Sequence, residues 1–79
     1  MRISARVDGD ASHMSVALVV DTMPVVGAVI LGRAVCYVAA LTKDPWGAPR
    51  PYVLLTPLGA GDGHDALYAD AKAAAKGTP

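Results

Sequence analysis

The residues able to do acid–base, nucleophilic or metal chemistry fall in three places. Asp8, Asp10 and His13 share one polar stretch, Asp62, His64 and Asp65 share another, and Cys36 stands alone between them. Two histidines with several carboxylates are suitable donors for a divalent ion. Neither stretch has the ligand spacing of a zinc or calcium site, so only a meeting of the two in space would assemble one. Cys36 sits in Ala34-Val35-Cys36-Tyr37-Val38, whereas a catalytic thiolate needs a polar, partly exposed setting; it reads as a small buried hydrophobe. Ser12 and His13 are adjacent, a spacing at which side chains rarely complete a triad with Asp8 or Asp10. No set supplies nucleophile, base and orienting group together, so the expectation is a protein that is not an enzyme and uses no metal or cofactor.

Gly59-Ala60-Gly61-Asp62-Gly63 lies between a strand-like and a helix-like segment, the placement of a phosphate loop feeding a helix N-terminus. The wider pattern fails. No Lys-Ser or Lys-Thr follows, Asp62 would repel a phosphate, and the 79-residue chain has no second strand and acid beyond the helix, as a dinucleotide site requires. The stretch reads as a flexible connection ending in a helix cap.

Binding chemistry is more prominent. Trp46, Arg50 and Tyr52 stand in or beside the proline-rich run Lys43–Pro51. Trp, Tyr and Arg are the types most enriched at binding hot spots, and prolines reduce the entropy lost when a loop docks. A competing role for Trp46 is as a lid over an open end of the core. Tyr68, Lys72 and Lys76 follow one another at helical spacing and form a second candidate contact stripe, unless they are simply the solvated back of a helix.

These residues need elements to hold them. Arg2 to Asp8 alternates, with Ile3, Ala5 and Val7 on one side and Arg2, Ser4, Arg6 and Asp8 on the other, as in a half-buried strand. Met14 to Asp21 is apolar on both sides and so suits a central strand. Pro24 ends that run. Strands are expected at 25–31 and 34–42, joined by Gly32-Arg33 as a tight hairpin turn, and a short one at 52–56. Lys43 to Pro51 should be irregular. A helix over 63–76 is marked by Asp62 as N-cap, Asp65 in its first turn, an apolar stripe at Leu67, Ala71, Ala74 and Ala75, and Gly77 beyond its end. Ala66 to Asp70 resembles part of the ALYDY motif that opens SH3 domains, but here it falls inside this helix. The expectation is a single α+β domain over 1–79. An antiparallel β-meander, or SH3-like barrel, of about five strands occupies 1–57; 58–62 connects it to the helix at 63–76.

Composition narrows the function classes. Every acid is aspartate, no Glu, Gln, Asn or Phe occurs, and the formal net charge is zero. Neutrality weakens a nucleic-acid reading, since phosphate contacts are made by surplus cations. Residues 22–41 have the length and hydropathy of a membrane span, but Arg33 sits mid-window and glycines and β-branched residues weaken a helix there. A single cysteine and the lack of an apolar run after Arg2 and Arg6 fit a reducing, cytoplasmic setting. The leading expectation is a non-enzymatic protein-binding module, of the kind phages and mobile elements use to block host complexes, as anti-CRISPR proteins do. The alternatives are a structural or virion accessory subunit, possible also as a homo-oligomer, and a small nucleic-acid-binding β-barrel in which Tyr37, Tyr52 and Trp46 stack bases.

Overall fold

A computed structural model describes residues 1–43, 47, 49–59 and 63–76, with Thr42 and Lys76 as backbone only. The elements are β1 (Arg2–Val7), β2 (Val16–Val19), β3 (Val29–Ile30), β4 (Arg33–Lys43), β5 (Pro49–Pro57) and α1 (His64–Lys76). The chain is a small α+β domain with one five-stranded sheet in the order β2-β1-β5-β4-β3. The sheet curls into a half-barrel, and α1 packs on its inner side.

The sheet is mixed, which corrects the antiparallel meander. β1 pairs antiparallel with β2 but parallel with β5, with Ser4 beside Tyr52 and Val7 beside Leu55. The reason lies in burial. β1 and β5 carry Ile3, Ala5, Val7, Val53 and Leu55, all buried, and pairing these two strands puts the most apolar inner face at the centre of the sheet. β2, expected to be central, is an edge strand. Its inner residues Val16 and Leu18 are buried, but Val19 on its other face is 81% exposed. Apolar residues on both faces are therefore not enough to make a strand central.

The β3–β4 hairpin turns one residue earlier than its sequence suggests. Ile30 pairs with Arg33, leaving Leu31 and Gly32 as the loop, with φ of 50° and 75°. Positive φ at both positions is the type I′ geometry that matches strand twist. β3 is reduced to two residues because Val25–Ala28 forms a turn, closed by Ala28 N–H donating to Val25 C=O and containing Gly27 at φ 97°. The one-residue shift makes Arg33 the first residue of β4 and points it inward, since strand faces alternate.

Two irregularities shape the β4–β5 pair. The register slips between Val35 and Tyr37, so Cys36 is the extra residue of a bulge. Val35 and Val38 face inward while Tyr37 joins Leu54 on the outer face. Regular alternation would place Val35, Tyr37, Ala39 and Leu41 on one face, and the bulge parts Val35 from Tyr37. Cys36 is exposed rather than buried, its thiol 3.3 Å from the Leu54 carbonyl. The second slip lies between Ala39 and Thr42. Pro51 falls opposite it and just before the β1 ladder begins at Tyr52, so no ladder hydrogen bond requires its missing N–H. That is how β5 runs from Pro49 through a segment whose prolines had suggested irregular structure.

Helix α1 begins within one residue of its expected start. A 13-residue helix is marginal alone and is held here by contacts with the rest of the domain. Leu67 is fully buried in the core. Asp70 accepts a 2.8 Å bond from Arg33, which is 1% exposed and also donates to Leu31 C=O. Asp10, from the β1–β2 connection, accepts from the His64 backbone N–H at 2.5 Å. Asp62, the expected N-cap, lies outside the described residues; a distant carboxylate supplies a cap to the first helical N–H. Among the described residues no helix is long and apolar enough to cross a membrane. The hydrophobic window 22–41 instead forms turns, β3 and most of β4.

Candidate functional site

The polar stretches around Asp10 and His64 do meet, but through backbone capping. Asp10 also accepts from Ser12 N–H at 2.9 Å, and Met14 N–H donates to the Ser12 hydroxyl. Ser12 N–H, followed by the Ser12 hydroxyl, lowers the Asp10 carboxyl below its ordinary value; partial burial opposes them, and the His64 N–H and ring add to the lowering. The adjoining depression of about 580 Å³, lined by Asp10, Ser12, Met14, His64 and Asp65, is thus built around a helix cap. No group of three metal-ligating side chains occurs among the described residues.

A second hollow, about 540 Å³, lies between β2, the hairpin residues Ile30 and Leu31, and the last turns of α1. The Ala stripe of the helix explains it. Leu67 is buried and Ala71 half-buried, but Ala74 and Ala75 are exposed, because a methyl group is too short to reach β2. The hollow is apolar and offers no convergent polar groups.

The outer face of the sheet is the third surface. Alternation along β5 places Arg50, Tyr52, Leu54 and Thr56 outward, opposite the buried Val53 and Leu55. The parallel register brings Ser4 beside Tyr52 and Arg6 beside Leu54; carried back two residues, it sets Arg2 near Arg50. From β4, Ala39 flanks Tyr52 and Tyr37 flanks Leu54. Tyr37 and Tyr52 are thus diagonal neighbours, ring centroids 6.1 Å apart and planes at 58°. Tyr52 has small residues, Ser4 and Ala39, on both sides; its side chain is half-buried, and Ser4 is buried although it lies on this face. Arg6 reaches the ring of His13, its guanidinium 2.6 Å from Nδ1.

Of the residues singled out in the sequence, Arg50 and Tyr52 share this face. Trp46 lies outside the described residues. Tyr68 is exposed and stacked on His64, with centroids 6.3 Å apart, and Lys72 is exposed. Both stand on the solvent side of α1, away from the face that Arg50 and Tyr52 form, so the two candidate stripes do not make one surface. Of Lys76 only the helical backbone is placed. Tyr37 is grouped with Tyr52 by sequence only as a candidate base-stacking residue, and Arg6 is a neighbour that the sequence reading does not group with either. The alternation of Arg2, Ser4 and Arg6 was visible, but the pairing of β1 with β5 and the bulge at Cys36 were not. Comparison with protein-family models, curated proteins and solved structures finds no match, so the surface is read from its own geometry.

Proposed function

We propose that this protein is a non-enzymatic binding module whose working surface is the open outer face of its sheet. The observation that carries the reading is the convergence of Tyr37, Tyr52, Arg50, Arg2 and Arg6 on three adjacent strands. Tyr and Arg supply contact area and hydrogen bonds at little conformational cost for the tyrosines. Strands also hold side chains more rigidly than loops do. The opposite face of the sheet is committed to the core, so the two faces divide folding from recognition. Blocking a larger complex, as a phage or mobile-element inhibitor would, is one use of such a surface.

Affinity capture tests this. The tagged chain is compared with an Arg50→Ala/Tyr52→Ala variant and a Tyr68→Ala/Lys72→Ala variant, with and without nuclease treatment of the lysate. A partner lost with the sheet variant and kept with the helix variant is expected. A partner lost only with the helix variant would move the working surface to α1.

A further inference from the structure

The half-barrel is open along β2. Met1 and Val20 exchange both of their backbone hydrogen bonds. In an antiparallel pair such rungs alternate with rungs that make none. Along the register from Met1, the Ile3–Leu18 rung is bonded, while Arg2–Val19 and Ser4–Ala17 are not. The N–H and C=O groups of Ala17 and Val19 therefore point away from β1. Among the described residues no strand pairs with that edge. The apolar hollow beside α1 bears the same mark. Ala17, Leu18, Val19 and Val20 line it in succession, and consecutive residues line a space where a strand presents its edge rather than a face. The last turns of α1 leave this edge uncovered, since Ala74 and Ala75 offer only methyl groups.

Free edges are usually blunted. β4 runs past β3 towards Lys43, but its register slips twice, and bulges spoil a regular ladder. Val16–Val19 has no bulge, proline or charge. Val19 is also the most exposed of the large apolar side chains among the described residues.

We infer that β2 pairs antiparallel with β2 of a second copy across a two-fold axis, joining two five-stranded sheets into one. Only outward groups can bond. Ala17 of each copy therefore lies opposite Val19 of the other, which pairs every outward group of both strands. Leu18 meets Leu18 at the axis, and each Val19 side chain gains Ala17 of the other copy as its cross-strand neighbour. A one-residue slip would oppose groups that point back to β1.

Charge fits the same register. Asp21 is exposed and makes no ion pair among the described residues. It falls opposite Ser15 of the other copy, and the β1–β2 register, carried one rung on, sets Ser15 beside Arg6. Arg6 keeps its bond to His13. A ring nitrogen that accepts a hydrogen bond is uncharged, so the guanidinium charge still attracts the carboxylate across the small Ser15. The two-fold axis repeats this row at the other end. With a net charge of zero, the copies have no long-range repulsion. These matches belong to the chain itself, so the occupant is a second copy and not a foreign strand. The pairing does not depend on the outer face being a binding surface.

Sedimentation equilibrium of the full chain over about 5–500 μM tests this; a strand-edge interface lies at the small end of interface sizes, so half-association is expected near about 100 μM. The mass should rise from one chain towards two and no further, since a two-fold pairing is closed. Val19→Lys changes a side chain already in solvent, and Ala17→Pro loses an N–H that serves no bond to β1. Each should weaken association about tenfold or more, because the axis applies every change twice. Val26→Lys, at another exposed valine, should leave association unchanged. Ser15→Asp sets an acid against Asp21 and should weaken it, and Ser15→Asp/Asp21→Lys should restore it. Circular dichroism and urea midpoints establish that each variant is folded; if Ala17→Pro is not, Val19→Lys and the charge swap carry the test. A monomer at the highest concentration, a mass rising past two chains, or association that survives Val19→Lys overturns the inference. A charge swap that fails to restore association overturns the register.

Discussion

Replacing Leu67 with alanine is the sharpest probe of how α1 closes the half-barrel. Among the described side chains of α1, Leu67 is the one that is fully buried; its neighbour on the same stripe, Ala71, is half-buried. A buried Leu→Ala change costs about 2–5 kcal/mol, and about 3 kcal/mol is reasonable where the rigid inner face of the sheet limits collapse into the void. A domain of 79 residues has a total stability of about 4–12 kcal/mol, so a quarter or more of it rests on this side chain. The midpoint of thermal unfolding should fall by about 12–24 °C, at 4–8 °C per kcal/mol for a domain of this size. In urea the midpoint should fall with the slope unchanged, because the surface exposed on unfolding is the same. Helical circular dichroism and near-ultraviolet tyrosine signals should be lost together. A loss below about 1 kcal/mol, or a helix that melts before the sheet, would refute the account of α1 as part of the core.

Asp70→Asn removes the carboxylate from an Arg33 that is 1% exposed; because Asp70 itself is half exposed, the expected cost is about 1–2 kcal/mol rather than that of a fully buried pair. An Arg33→Met/Asp70→Asn double-mutant cycle in urea measures the coupling. Asp10, lowered first by the Ser12 N–H, binds protons less readily folded than unfolded. Its contribution is therefore present above the ordinary aspartate value and lost as pH falls through the lowered folded value. Asp10→Asn should flatten that acid limb in pH-dependent melting, and an unchanged limb would remove the cap. Cys36, exposed at its bulge, should react with a thiol reagent in the native state at a rate close to that in urea; strong protection would return it to the core. Gly32→Ala, at φ 75°, should cost about 1 kcal/mol in urea unfolding.

Local chemistry was sufficient for the elements whose signals are short in range. The alternation of Ile3, Ala5 and Val7 marked β1 and its inner face. The spacing of Leu67 and Ala71, with acids ahead, marked α1 and the face it buries. What the sequence left open depended on pairing. Nothing within β1 or β5 states that they lie side by side and parallel, because the hydrogen bonds joining them are made by backbone groups common to all residues. The bulge at Cys36 and the turn at Leu31-Gly32 each shift a face by one residue, and with period two such a shift reverses every side chain. One reversal buried Arg33 and gave it Asp70; the other exposed Cys36 and turned Tyr37 outward to meet Tyr52. Composition fixed a net charge of zero, but only the tertiary structure decided where the charges stand. Among the described residues it keeps aspartate off the strands and sets arginines near two tyrosines on the sheet face that the core does not use.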